Sequence, residues 1–475
     1  MSWATIGQMA PDTASLRQPT PARTSSVHRW PHAPGRNGWQ PGLRRLPVEQ
    51  AIAYAAWVLM VVNVQPWVKQ PSSPQGQAAV EASSSKGVAM AAIFMVAAAL
   101  SAPRFSARMP ATYLLYLGYL CVAAATAFHL SDPVPPLLRV GRLGLGVAIP
   151  LLLWRWLGGR PSLFLGAHRA GHLLVAVAVV AGLAIVPSAA WDDGGSFGAG
   201  GRLQGVFLPM LPPRVGEIGA ILVGLTVIGI AFKRTRPVPG ALFISLGLML
   251  IVLSRTRTAA VALVVALFAA FCLTRRYRLG RRGLRTMLVL VMLALPLLAP
   301  IRSWAMRQQS TQELSTFTGR TRAWTTVIDE QSSWRTVTLG HGLGNKGVLL
   351  RRGEGDIDVM AIDNAWLSLF WETGLLGVGF VLIAVIVTIV AVCRAPTPYV
   401  RAAAGFLATY VVIASFTETG LSDLSSQTLH ILVAAGAAYA DRLSASGERP
   451  WLPTLARPAA GSAVVGRASE AGFLR

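Results

Sequence analysis

Arg202, Arg214, Arg255, Arg257, Arg320 and Arg322 stand in short polar stretches that interrupt a strongly apolar sequence. A guanidinium is a planar fork of donors that matches phosphate and carboxylate oxygens. Gathered together, such groups hold a polyanion and neutralise charge that grows on a leaving group. A transfer reaction also needs a group that takes a proton from a hydroxyl. Two candidates follow in the chain: His341 in TLGHGLGN (338–345) and Asp363 in AIDNAWLSLFWETGLLG (361–377).

The stretch STFTGRTRAW (315–324) raises the sharpest question. From Thr318 as N-cap, Arg320, Trp324, Val327 or Ile328, and Gln331 recur at spacings of three and four, which predicts a helix with those residues on one face. Its apolar members carry Arg320 toward the membrane surface or the bundle. A guanidinium placed there is unfavourable unless an anion meets it. The bland alternative is an arginine whose head lies among lipid phosphates; a substrate diphosphate is the preferred partner, with Arg322, Trp324 and Asn364 as neighbours in the site. In the next loop Gly340, Gly342 and Gly344 permit sharp turns. A nucleotide phosphate loop is a poor match, because no strand precedes it and no Lys-Ser pair follows. Asp363 or Asn364 caps the helix that comes next. Asp363 at a bilayer edge, half withdrawn from water, would also be a better base than an exposed carboxylate.

Positioning these groups falls to a membrane-like chain. Of 475 residues, 53% are hydrophobic and 13% charged, about half the charge of a soluble domain. The apolar runs are continuous rather than alternating, so they read as helices and not as barrel strands. About twelve suit a crossing of about 20 residues: 50–67, 87–102, 111–130, 138–156, 171–190, 216–232, 238–253, 258–274, 285–303, 364–393, 399–416 and 425–441. The tenth is long enough to begin as an interfacial segment around Gly374. The expected fold is an all-α polytopic membrane protein: a disordered cytoplasmic arm over 1–48, nine spans within 49–303, a large extracytoplasmic loop over 304–363, three spans within 364–442, and a cytoplasmic tail over 443–475.

Charge sets the orientation. With the N-terminus inside, the inner loops hold Arg104 and Arg108, Arg160 and Arg169, Lys233 to Arg236, Arg275 to Arg285, then Arg394 and Arg401, with no acidic residue among them. Cytoplasmic loops collect lysine and arginine in this way, which accounts for the net charge of +23 without nucleic acid as a partner. The six arginines named first lie against that bias, as do Arg335, Arg351 and Arg352. Pairing with outer carboxylates such as Glu217, Glu418 and Asp423 is one explanation; convergence on an anionic substrate is the other. Cys121, Cys272 and Cys393 fall inside apolar runs and read as small hydrophobes. No His/Cys/Asp cluster is picked out at ligand spacing, so the reading implies no tightly bound metal and no cofactor.

Taken in order, GRLQGVF (201–207), LSRTRTAAVAL (253–263), GRTRAW (319–324), LGHGLGN (339–345) and DNAWLSLFWETGLLG (363–377) resemble the O-antigen ligase and O-antigen polymerase superfamily of bacterial membrane glycosyltransferases. The likeness covers about residues 200–380. It implies a metal-independent helical glycosyltransferase that takes an oligosaccharide from undecaprenyl diphosphate on the outer face of the cytoplasmic membrane. The acceptor is a growing glycan for a polymerase, or a terminal lipid or glycan for a ligase. By motif, the residues on the diphosphate are Arg202, Arg255 or Arg257, and Arg320. Many ligase members have a histidine where this chain has Asp363, which leans toward the polymerase branch. A transporter is the competing class; few ionisable groups in mid-span and no paired broken helices speak against it.

Overall fold

A computed structural model describes residues 48–65, 84–101, 109–157, 161–192, 201–294, 320–331, 333–351 and 357–446. The expected N-cap Thr318 and most of both terminal arms lie outside them. Nine helices come first: α1 (Val48–Val64), α2 (Ser84–Ser101), α3 (Ala111–Ala127), α4 (Val134–Leu157), α5 (Pro161–Ile185), α6 (Pro212–Ala231), α7 (Pro237–Ser254), α8 (Arg257–Leu273) and α9 (Arg278–Ala294). Two shorter ones, α10 (Arg320–Asp329) and α11 (Trp334–Leu339), precede α12 (Ala365–Cys393), α13 (Pro398–Ala414) and α14 (Ser426–Ala445). Pro161, Pro212, Pro237 and Pro398 open four of these helices, where a missing N–H costs nothing and the fixed φ already suits the helix.

The chain is an all-α polytopic membrane protein. Twelve helices, α1–α9 and α12–α14, follow the expected apolar runs in order. By length and composition α4, α5, α6, α7 and α12 can cross a membrane; α1, α2, α3, α8 and α13 are shorter apolar helices. Two helix starts differ most from expectation. α5 begins at Pro161 rather than 171 and brings His168 and Arg169 into the helix, where His168 meets His430 of α14 and Arg169 donates to the Thr235 hydroxyl. α9 begins at Arg278 rather than 285, since its arginine-rich start is itself helical.

α6, α13 and α14 form the interior, with nearly every residue of α14 from Ser426 to Ala438 buried. Leu242, Val252, Val261, Leu382 and Ile386 are exposed on α7, α8 and α12, as lipid-facing residues are. Lipid is as apolar as leucine, so helices here associate through close packing of small residues rather than by escape from water. Gly219 of α6 and Gly247 of α7 meet backbone to backbone: a Cβ on either would strike the carbonyl oxygen of the other. From α3, the Tyr113 hydroxyl donates to the Leu432 carbonyl at 2.9 Å and the Tyr119 hydroxyl to the Ser422 carbonyl at 2.7 Å. The second bond ties the bundle to the α13–α14 connection, residues 415–425.

Two small antiparallel hairpins complete the described structure. β1 (Trp191–Asp192) pairs with β2 (Arg202–Leu203), setting Asp192 opposite Arg202. β3 (Gly347–Arg351) pairs with β4 (Ile357–Ala361), with Gly347 opposite Ala361. α10 rests on the second hairpin and on the start of α12 through a small core of Ala323, Val327, Val348, Ile362 and Trp371. Of the two residues that could face inward, Val327 is fully buried and Ile328 is 59% exposed. Gln331 follows on the buried face and donates from Nε2 to the Phe370 carbonyl at 3.4 Å.

Candidate active site

The turn between α7 and α8 gathers arginines by an uncommon backbone device. Arg255 sits in the left-handed region at φ 50°, ψ 39°, ends α7 and sends the chain into α8 after a single residue, Thr256. Thr256 is buried and its hydroxyl donates to the Pro212 carbonyl at 3.0 Å, which fixes the turn to the first turn of α6. Arg202, on β2, donates from Nε to the Ser254 carbonyl at 3.2 Å. Residues from two distant stretches, Arg202 and the Arg255/Arg257 pair, are therefore held at one place. All three are half-buried.

Residues 415–425 join that turn to the start of α12. The Thr258 and Thr417 hydroxyls are 2.9 Å apart. The Asn364 side chain caps α12: Oδ1 accepts from the Trp366 and Leu367 amides at 3.0 and 3.1 Å, while Nδ2 donates to the Phe416 carbonyl at 3.2 Å. The Ala365 amide and the Trp366 indole N–H donate to the Ser415 carbonyl and hydroxyl, at 2.8 and 3.0 Å. Asp363, half-buried, immediately precedes this anchored cap. With Asn364 filling the cap, the helix terminus does not account for Asp363.

The glycine loop does its work on the broken helix below it. Within α12, Gly374 takes φ 62°, ψ −168°, so the carbonyls before it lose their helical partners. The His341 and Gly342 amides donate to the Trp371 and Glu372 carbonyls at 2.8 and 2.9 Å. Gly340 and Gly374 make this approach possible, since a Cβ at Gly374 would collide with the Thr338 carbonyl and one at Gly340 with the Glu372 backbone. The backbone of this loop is thus spent on a helix break. Gly374→Ala places alanine in a backbone region that costs about 1–3 kcal/mol, besides the collision. A lower melting temperature of the solubilised protein is expected, and an unchanged one would remove the break from this account.

His341 lies flat on Trp371, ring centres 3.8 Å apart and planes 22° from parallel. Its Nδ1 is 3.2 Å from the Trp371 carbonyl. A carbonyl only accepts, so Nδ1 carries the proton and Nε2 the lone pair. Burial pushes the imidazole below its ordinary 6.5, against the hydrogen bond to Trp371 and the charge of Glu330. Beneath the loop, Glu372 is fully buried and accepts from the Gly344 amide at 3.1 Å, the Ser368 hydroxyl at 2.8 Å and the Ser422 hydroxyl at 3.3 Å. Asp423 lies beside it, 3.2 Å from Arg142 and 3.5 Å from Lys346. Burial opposes ionisation of Asp423, but Arg142, Lys346 and Arg139 overcome it and hold the carboxyl below the usual carboxylate range.

Several expectations need correction in detail. Arg214 answers the pairing alternative: its guanidinium is 2.7 Å from Glu217 and also donates to the Ser426 hydroxyl and the Thr419 carbonyl. Asn364 likewise spends its side chain on a cap, which makes it a positioning residue. Arg322 is exposed and Trp324 half-buried on α10. Arg320 opens α10 one turn before Trp324, and its side chain lies outside the described part. The sequence reading gave Glu372 no role, and took from 415–425 only Glu418 and Asp423 as outer carboxylates. His168, His172 and His430 went unread; they stand together in the bundle although the sequence seemed to hold no ligand cluster. HRAGH at 168–172 puts two of them four apart on a helix, a signal within reach; the third is 258 positions further on, and only packing brings it there.

Residues 241–384 match the family model described as O-antigen ligase. The match runs from α7 through the first two-thirds of α12 and takes in Arg255, Arg257, α10, the glycine loop, Asp363 and Glu372. Arg202 and the 415–425 segment fall outside it. No curated protein matches the chain.

Proposed function

We propose that this chain, whose residues 241–384 match the O-antigen ligase family model, is a membrane glycosyltransferase that extends a cell-surface polysaccharide from an undecaprenyl-diphosphate-linked oligosaccharide. The proposed seat of the reaction is the extracytoplasmic side of the bacterial cytoplasmic membrane, with both termini cytoplasmic. Lysine and arginine distribution supports that orientation. The aspartate at position 363, where many ligases carry histidine, favours polymerisation; transfer to a terminal acceptor is the alternative within the same chemistry.

One observation carries the reading. Arg202 donates to the carbonyl of Ser254, next to Arg255 in the α7–α8 turn, and the Thr258–Thr417 and Asn364–Phe416 bonds bring Asp363 to the same end of the bundle, which supports a common site for these residues. In the proposed step the acceptor oxygen bonds to the anomeric carbon from the face opposite the phosphate. The bond from that carbon to the phosphate oxygen breaks, its electron pair leaves with the diphosphate, and the configuration inverts. Arg202, Arg255, Arg257 and Arg320 stabilise the departing charge without a metal ion in that role, as preorganised donors do best in a site shielded from water. Asp363 takes the acceptor proton, with His341 as the other candidate.

Purified protein mixed with undecaprenyl-diphosphate oligosaccharide tests this directly. A ladder of products on a gel is the expected result. A single shifted band that needs an added acceptor identifies a ligase, and no product from any carrier-linked glycan refutes the transferase reading.

A further inference from the structure

Three of the seven histidines of this chain meet in the middle of the bundle. His168 and His172 stand one turn apart on α5, and His430 comes from α14; all three are fully buried. One ring nitrogen from each lies within 4.8 Å of the other two. Burying three imidazoles together in a membrane-like interior is costly unless their nitrogens have partners. The partners present explain only part of the set.

The hydrogen bonds define where the lone pairs are. His172 Nδ1 is 2.8 Å from the His168 carbonyl, so Nδ1 donates and Nε2 carries the lone pair. His430 Nε2 is 3.2 Å from a carboxylate oxygen of Glu217, so Nε2 donates and Nδ1 carries the lone pair. His430 Nδ1 in turn faces His168 Nε2 at 2.9 Å. His172 Nε2 and His168 Nδ1 are buried and have no hydrogen-bond partner. His172 and His430 show the pattern of a metal-bound histidine, in which one nitrogen donates to a carbonyl or carboxylate, which fixes the ring and leaves the other nitrogen for the metal; His168 turns its Nε2 toward the same place. Glu217 is itself fixed, by Arg214 at 2.7 Å and the Ser426 hydroxyl at 2.7 Å.

We infer that His168, His172 and His430 bind one borderline divalent transition metal, with Zn²⁺ the expected ion, and that Glu217 orients His430 from behind. Imidazole nitrogen without thiolate suits zinc and its neighbours rather than calcium or magnesium. Two nitrogens on one tetrahedral zinc, at about 2.0–2.1 Å each, stand about 3.3 Å apart. The 2.9 Å between His168 and His430 needs only a small opening to reach that spacing. The ion would clamp α5 to α14 and, through Glu217 and Arg214, steady the Thr419 carbonyl in the 415–425 segment. Its role is structural, and the inference stands whether or not the chain acts on a diphosphate-linked glycan.

The test uses full-length protein carrying no histidine tag, stripped with chelator and titrated with Zn²⁺ or Co²⁺ alone. The expected result is about one equivalent of either ion per chain, the d–d absorption of four-coordinate cobalt, and a zinc-dependent rise in melting temperature. His172→Ala and His430→Gln should each abolish the cobalt spectrum. Glu217→Gln, which keeps the shape behind His430, should weaken binding about 10- to 100-fold. Replacing His28 and His32 together by alanine should leave binding intact. Failure of the unmodified protein to bind stoichiometrically, or binding that survives the first two variants or vanishes with the last, overturns the site. The measurement on the unmodified protein decides even where a variant does not fold.

Discussion

Arg255→Gly is expected to reduce glycan transfer by about 10²–10³-fold while relieving the backbone cost of the turn, so that the loss of rate exceeds any loss of stability. The two halves of this expectation come from different links of the argument. Arg255 occupies φ 50°, ψ 39°, a left-handed conformation that costs a residue with a Cβ about 1–2 kcal/mol and glycine almost nothing. Glycine is the residue that helix ends ordinarily use here. An arginine kept at a position that glycine would fill at lower cost has a reason other than the turn. If the reason is charge stabilisation of the leaving diphosphate, removing one preorganised donor has the stated effect on rate. Arg255→Lys, which keeps the charge and loses the fork, should fall between the two. Initial transfer rates and melting temperatures measured together decide the matter. A glycine variant that transfers at the original rate takes Arg255 out of the site.

Much of the fold was legible because it follows from one physical demand, that backbone in lipid satisfies itself within helices. The twelve apolar runs and their order needed nothing else. The helix over α10 was readable from spacing, and so was the inward set ending at Gln331, although Val327 and Ile328 were separable only by packing. Length alone suggested an interfacial start to the tenth run around Gly374; the break found there has its cause, two loop amides and two glycines fitted to each other, in a tertiary match across 30 or more residues. The arginines divide along the same line. Sequence could say that Arg202, Arg214, Arg255 and Arg257 sit against the charge bias. It could not say that Glu217, three residues after Arg214, would claim that one, while Arg202 would swing to the α7–α8 turn. Nor does any local pattern mark 415–425, whose value lies in what it touches. It receives Tyr119, Asn364, Thr258, Arg214 and Lys346 from five separate stretches.

The identity of the proton acceptor separates by pH. Removing a general base typically costs about 10²–10⁴-fold in rate, and Asp363→Asn is expected to show a loss of that order. Asp363→His should retain activity, because a neutral imidazole at the same cap can take the proton, and should move the acid limb of kcat/KM upward from the carboxylate range toward the imidazole range. His341 makes the contrary case testable. Its Nε2 lone pair is in place, and burial keeps the ring neutral to below its ordinary 6.5. Were it the base, activity would fall as pH drops beneath that value, and His341→Gln would erase both the limb and the rate. The same shift bears on stability, with a definite sign. The unfolded chain takes up the His341 proton first as pH falls, so stability that is full above pH 6.5 declines below it. Melting temperatures recorded alongside the rates keep that loss from passing for loss of a base. An unshifted limb in Asp363→His, together with a flat profile in His341→Gln, would assign the proton to His341 and leave Asp363 a positioning residue.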